Sequence, residues 1–411
     1  MYQRYLDKHT FRPKLIAALP QNNTSLIVVI PVYDEESVLL PLKDLQVCEA
    51  TSSVVEVILV FNASEVEQDA VVKKNIACKE EAENWFAALK SPRFRLHCIE
   101  ENSLPKKHAG VGLARKIGMD EAVRRFHEIK EKEGIIICFD ADSACDSNYL
   151  SAIETHFKNN PKSPACSIYY EHPLNSTGFS EFINRGITFY ELHLRYYKNG
   201  LTYAKLPYDF HTVGSSMAVR ATAYCQEGGM NRRKAGEDFY FLQKFIKQGN
   251  FTTLNHTRVI PSPRTSNRVP FGTGRAIQEM VEGKRNVENT YAFDSFELLR
   301  ETFEEVESWY DELPKLPSPF VDFVGMEKLT NKVAEIRQQS TTVESFVKRL
   351  FHWFDAFQTL KFMHYLRDYC FPQESLIDAS SKLLAALNIN NKAEGEADLL
   401  LLFRKIDRKD K

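Results

Sequence analysis

No two of the eight cysteines, Cys48, Cys78, Cys98, Cys138, Cys145, Cys166, Cys225 and Cys370, stand in a C-x-x-C spacing, so the usual sequence signs of a structural zinc site or a redox motif are absent. Packed, reduced thiols are the reading that remains. No run approaches the ~18 consecutive apolar residues that a membrane-spanning helix needs. The opening segment MYQRYLDKHTFRPKLIAALP lacks the uninterrupted apolar stretch of a secretory signal. The expected location is therefore cytoplasmic, with peripheral contact at the inner face of a membrane as the variant. Net charge is also scarce. With 53 Lys+Arg against 55 Asp+Glu the chain carries only −2, so no global positive field draws it to nucleic acid, which is not an expected partner. No internal repeat is visible by eye.

Apolar residues, by contrast, are plentiful. They make up 43% of 411 residues, enough for a large core and for two domains, or for one large domain with an appendage. Leu26–Val32 (LIVVIPV) and Val54–Phe61 (VVEVILVF) are short, β-branched, continuously apolar runs, the pattern of strands buried on both faces of a parallel sheet. Between them, Glu35–Ala50 carries leucines at helical spacing after an acidic first turn. An amphipathic stretch over Glu65–Leu89, a strand at Phe94–Ile99, a helix over Gly110–His127 and a strand at Gly134–Phe139 continue the alternation. That order predicts an α/β domain whose ligand site lies at the carboxyl ends of its strands.

The segment IIICFDAD ends a buried strand and then offers Asp140 and Asp142 at spacing i, i+2. Along an extended chain both side chains point the same way, toward one cation. Carboxylate oxygens suit Mg²⁺ or Mn²⁺, which bridge nucleotide phosphates. Taken alone, Asp-x-Asp also occurs in ordinary turns.

Three motifs in order, SLIVVIPVYDEE, GVGLARKIGMDEA and CFDADS, resemble family 2 glycosyltransferases of the GT-A fold. The resemblance covers roughly residues 25 to 275. It implies a Rossmann-like, mostly parallel central sheet flanked by helices, to which an α-helical C-terminal appendage is added. It also implies that Pro31, Val32, Tyr33 and Glu35 border the nucleoside, and that Asp140, Ala141 and Asp142 meet the metal and the diphosphate. The second strand of such enzymes commonly ends in aspartates that contact the base. Here Phe61-Asn62-Ala63-Ser64 stands in that place, leaving one amide, Asn62, to hydrogen-bond the base. Lys107, Gly110, Gly112 and Arg115 match the segment that approaches the nucleotide, where glycine allows close backbone contact and a cation neutralises phosphate or fixes the carboxylates.

Further along, HTVGSSMAVRATAYCQEGGMNRRKAGEDFYF joins a strand, a Gly228-Gly229 turn and an acidic pair opening a helix. In the family this arrangement marks the acceptor pocket, with Gly228 and Gly229 beside the acceptor. Glu237 and Asp238 then fall at helix N-terminal positions, where the dipole favours an ionised carboxylate. Asp238 is read as the general base and Glu237 as the group that positions the acceptor. Their plainer reading is helix capping. The basic segment HTRVIPSPRTSNRVPFGTGRA holds His256, Arg258, Arg264, Arg268 and Arg275 in a loop able to close over a diphosphate, with Arg264 and Arg268 first among them.

The expected division is an N-terminal segment (1–24), a GT-A domain (25–283) and a helical region (284–411). Within the last, Phe346–Tyr369 carries aromatic residues at helical spacing with Lys and Arg between them. It suits packing or an oligomer contact, and alternatively a membrane-surface helix. The expected partners are a nucleotide-diphosphate sugar, UDP-linked in preference, and a hydroxyl acceptor, saccharide or lipid-linked saccharide. The expected cofactor is a divalent metal. Two competing readings share the architecture. A sugar-phosphate nucleotidyltransferase would carry a Gly-rich basic loop after the first strand, where this chain has PVYDEESV. A scaffold that has lost catalysis is the other, since fold does not fix function.

Overall fold

The structure is a computed structural model that describes residues 1–233, 236–266, 268, 272–390 and 392–409. The chain divides into two compact units. One comprises Met1–Thr177, Thr212–Gln278 and the last residues from Arg408; the other comprises Gly178–His211 and Glu279–Asp407.

The first unit begins with α1 (Tyr2–His9) and then alternates strands and helices. In order these are β1 (Thr24–Val32), α2 (Leu39–Gln46), β2 (Val54–Ser64), α3 (Asp69–Ala88), β3 (Phe94–Leu104) and α4 (Val111–Glu128). Then come β4 (Ile135–Cys138), β5 (Ala144–Cys145), α5 (Tyr149–Asn159) and β6 (Ala165–Tyr170). Beyond α6 (Glu181–Tyr203), which belongs to the second unit, follow β7 (Met217–Arg220), α7 (Ala221–Gln226), α8 (Glu237–Ile246), β8 (Thr252–Ile260) and α9 (Thr273–Val281).

One sheet runs through the unit in the order β3-β2-β1-β4-β7-β6-β8-β5. β1 pairs in parallel with β2 on one side and β4 on the other, and β2 with β3 likewise. Ile27–Ile30 are fully buried, as a central strand covered on both faces requires. β7 is antiparallel to β4 and β6, and β5 to β8. This is the α/β GT-A arrangement expected from the sequence. Only residues 139–143 join β4 to β5, although three strands lie between them in the sheet order. Fully extended, that link would just cover the ~19 Å of a flat sheet. It contains a turn closed by Ser143 N–H donating to Asp140 O (3.2 Å), so the sheet curls at that end.

The crossing from β3 back over to β4 makes the β1/β4 boundary the topological switch point, where the carboxyl ends of neighbouring strands diverge and leave a crevice. α4 underlies it. A Cβ on Gly118 would stand 2.5 Å from Val29, so only glycine lets the helix lie this close to β1. Outside α4, the N-terminal segment is fastened by Tyr5 Oη donating to Asp120 (2.6 Å) and by Arg12 on Glu101 (2.8 Å).

Some boundaries differ from the expectation. β2 and β3 run three and five residues further, to Ser64 and Leu104, because they pair with each other beyond the apolar runs. α2 begins at Leu39 instead of Glu35, with Val38 at φ −111° as its N-cap. Phe346–Tyr369 is split between helices Val343–Trp353 and Ala356–Tyr369, the second capped by Asp355, which accepts from Phe357 and Gln358 N–H at 3.0 Å.

The second unit is mainly helical, with one two-stranded ribbon (Glu374–Ser375 on Asn289–Thr290). Phe303, Trp309, Phe320, Phe354 and Phe362 form its aromatic core. Inside it, Glu191 accepts from Arg195 and Arg404 (2.8 Å each), and Asp407 from Arg195 (2.7 Å), so buried charges are paired as desolvation demands. Among the described residues no helix is long and apolar enough to cross a membrane.

Candidate active site

Asp140 and Asp142 follow β4 at the switch point, and Tyr33, Asp34 and Glu35 follow β1 beside them. The link after β4 is not extended. It turns at Ala141, so the two carboxylates are presented by a turn and not by strand alternation. Each finds a different arginine. Asp140 Oδ1 accepts from Arg115 Nη2 at 2.5 Å, and Asp142 Oδ2 pairs with Arg264 Nε at 2.6 Å. Burial raises the Asp142 carboxyl to about 6 against the pull of Arg264, with repulsion from Asp140 and Glu35 adding to it.

Arg115 joins two halves. It lies on α4 with only 3% of its side chain exposed, and its other terminal nitrogen is paired to Glu237, equally buried. Burial opposes its charge, but Asp140 and Glu237 outweigh that and hold it protonated. Among the described residues its Nε has no hydrogen-bond partner. Two glycines make the space. A Cβ on Gly214 would meet the guanidinium at 2.5 Å, and one on Gly112 would collide with the Arg233 carbonyl and crowd Glu237. The close approach that Gly112 permits is thus between α4 and the segment before α8.

Glu237 and Asp238 open α8 after Gly236, whose φ of 66° suits glycine. Asp238 Oδ1 accepts from Phe239 N–H (2.7 Å). The dipole does not decide its ionisation, contrary to expectation. Burial, then the Glu237 charge, raise the Asp238 carboxyl to about 7, with Arg115 opposing.

Glu35 is buried and doubly clasped: Arg264 Nη1 and Nη2 lie 2.7 and 2.5 Å from its oxygens, and Arg268 pairs with it as well. Arg268 Nη2 also donates to Asp34 O (2.8 Å). Both arginines of the segment after β8 are therefore gathered at the crevice.

The remaining expected residues fall less centrally. Pro31 and Val32 end β1, and Tyr33 Oη donates to Glu67 (2.9 Å), which together with burial raises its hydroxyl to about 12. Asn62 Nδ2 donates to Val32 O (2.8 Å) and Val60 O (3.3 Å), so its nitrogen braces the end of β1 and only its oxygen remains for a base. Lys107 is exposed on the turn after β3, and no ion pair among the described residues ties it to the cluster. Gly110 caps α4 at φ 150°. Gly228 and Gly229 form the expected turn at φ 71° and 80°, and Gly229 is pressed against the Tyr5 hydroxyl, a packing contact. Arg258 is engaged elsewhere, with Asp146 (2.9 Å) and Glu171 (2.8 Å). The pairing of Arg115 with Glu237 was not foreseen. Gly214, three residues before β7, was its one faint signal.

Residues 27–227 match the family model described as Glycosyl transferase family 2. None of the curated proteins matches. Among solved structures, S. aureus TarS 1-349 in complex with UDP-GlcNAc is similar at 12% identity and TM-score 0.41, over 84% of this chain and 91% of that one. The mannosyltransferase PcManGT from Pyrobaculum calidifontis, in complex with GDP-Man and Mn²⁺, is similar at 12% identity and TM-score 0.36, over 99% and 92%.

Proposed function

We propose, from the premise that this chain is a family 2 glycosyltransferase with its family domain at residues 27–227, that the crevice between β1 and β4 transfers a sugar from a nucleoside diphosphate to an acceptor hydroxyl with inversion. A UDP-sugar is the favoured donor and a divalent metal the expected cofactor. The observation that carries the reading is the double engagement of Arg115. One guanidinium holds Asp140, on the nucleotide side, and Glu237, the neighbour of Asp238, so the two halves of a transfer reaction meet within one side chain's reach.

The residues fit a divalent cation. Among the described residues no three ligand-type side chains form a complete cage. Mg²⁺ and Mn²⁺ commonly use one or two carboxylates and take the rest from phosphate and water. Asp140 and Asp142 each keep one oxygen outside the arginine contacts. Five carboxylates (Glu35, Asp140, Asp142, Glu237, Asp238) face three guanidiniums (Arg115, Arg264, Arg268), leaving a formal −2 when all are ionised. Bound at Asp140 and Asp142, the cation supplies positive charge to the departing diphosphate.

The chain's own groups do the rest. Arg264 and Arg268, leaving Glu35, contact the diphosphate oxygens. Pro31, Val32 and Tyr33 border the nucleoside, with Asn62 Oδ1 as an acceptor toward the base. Arg115 holds Asp140 and Glu237 in place without touching substrate. Asp238 keeps Oδ1 on the Phe239 amide and takes the acceptor proton on Oδ2, with an affinity for it close to neutral pH.

Calorimetric titration of UDP and of GDP, each with Mn²⁺ and with chelator, tests the reading on the wild type and on Asp142→Ala. Metal-dependent binding of UDP, lost in the variant, is the expected result. Binding of neither nucleotide would overturn it.

A further inference from the structure

Cys48 and Cys145 are 97 positions apart in sequence, yet their Sγ atoms lie 4.0 Å from each other. Cys48 stands just beyond α2 and Cys145 ends β5, the outermost strand of the sheet. Three further contacts keep the two segments together. Asp44 Oδ2 accepts from Cys145 N–H (3.3 Å), Glu49 N–H donates to Ser147 O (2.7 Å), and Ser151 Oγ donates to Glu49 (3.0 Å). Both thiols are half-buried, and neither is in a disulfide.

The surroundings treat the two sulfurs differently. The hydrogen bond between the two sulfurs, in which either can donate, lowers the pKa of Cys48 with help from the Leu150 and Tyr149 amides in the first turn of α5 and against burial, while Cys48 Sγ also faces the carbonyls of Asp44 (3.3 Å) and Asp146 (3.8 Å). The same hydrogen bond, with burial, raises that of Cys145. Of the two, Cys48 is the more acidic, which makes it the attacking sulfur. The other thiols contrast with this: burial raises Cys78 to about 11 and Cys98, Cys138, Cys166 and Cys225 to about 12.

We propose that Cys48 and Cys145 are an oxidation site, closing to a disulfide on reaction with a low-molecular-weight disulfide such as oxidised glutathione. The Cys48 thiolate attacks one sulfur of the small disulfide, releasing one thiolate and leaving a mixed disulfide on Cys48. Cys145 loses its proton to solvent and attacks Cys48 Sγ, forming the intramolecular bond and expelling the second thiolate. Two protein thiols are oxidised and one small disulfide is reduced to two thiols. The sulfurs must approach by roughly 2 Å for the bond to form. The bond would fasten β5 three residues beyond Asp142, where β5 pairs with Val259 and Ile260 just before the arginine-bearing segment.

The test reads thiols and not turnover, so it stands apart from the transferase reading. The full chain is equilibrated in glutathione buffers of rising oxidised fraction, quenched with acid, alkylated and mapped by peptide mass. The expected result is one cross-linked peptide pair, Cys48 with Cys145, lighter by two hydrogen atoms and reopened by excess reduced glutathione. Cys145→Ser should stop at a glutathione adduct on Cys48, and Cys48→Ser should show neither adduct nor bridge. Full alkylation of both wild-type thiols at the oxidising end, or a bridge from either to a different cysteine, would overturn the proposal without reference to the variants.

Discussion

Arg264 touches Asp142 through Nε at 2.6 Å while its terminal nitrogens clasp Glu35, so one side chain spans both strand ends that line the crevice. A diphosphate competing for this guanidinium must draw it from a buried carboxylate. Glu35→Gln is therefore expected to tighten UDP binding several-fold. Arg264→Ala, which removes a charge-assisted contact of about 1.5–3 kcal/mol, should weaken it by one to two orders of magnitude. Calorimetry on both variants checks the opposite signs; the same sign in both would contradict the competition.

Removing Arg115 leaves Glu237 unpaired at a buried position and takes the partner from Asp140, which is partly exposed. Arg115→Met is expected to cost about 3–5 kcal/mol of stability, read from denaturant unfolding. Arg115→Lys should recover only part of it, because an ammonium cannot present the planar fork that reaches two carboxylates. Full recovery would mean that only the charge matters.

As the proposed base, Asp238 is expected to affect rate and stability together. As a base it works ionised, so turnover should rise with pH through about 7, and Asp238→Asn should lower kcat by about 10² to 10⁴. The folded carboxyl titrates near 7 and the unfolded one near ~4, so between these values the folded state holds a proton the unfolded state has lost. Stability then falls as pH rises through that window. The asparagine variant should melt higher than wild type at pH 8 and lose part of this pH dependence. A variant less stable at pH 8 would contradict the raised carboxyl.

On the proposed reading, protons and metal compete at Asp142. Its carboxyl titrates at about 6, so Mn²⁺ binding followed by calorimetry should be weaker at pH 5 than at pH 7.5. Chelator should remove metal-dependent UDP binding at either pH. Equal affinity at the two pH values would place the ion elsewhere.

The strands β1, β2 and β4 were legible in the sequence because, buried on both faces, they read as unbroken apolar runs, whereas β5 and β6 were not read at all. Their ends were less so. β3 extends past Ile99 through Glu100–Leu104, where pairing with β2 supplies what hydrophobicity does not. The acidic pair after β4 and the acidic start of α8 were visible as motifs. Their coupling was not, because Arg115 and Glu237 are separated by 121 intervening residues and meet only through α4 packing beneath β1. The arginine-bearing loop was recognised as a cationic group. That Glu35 would hold two of those arginines, having been read only as a nucleoside neighbour, depends on the curl that brings the end of β8 to the end of β1.

The packing of α4 sets an order in which this site could be altered. Arg115 and Gly118 share one helix, so the carboxylates that Arg115 aligns are referenced to the same surface that seals β1 and β2. A change of sugar specificity introduced on α4 would disturb the core and the charge cluster at once. Substitutions at Ser262 and Thr265, on either side of Arg264, lie outside α4 and leave the arginine's own side chain in place, and it is there that a directed search for new donors would meet least resistance.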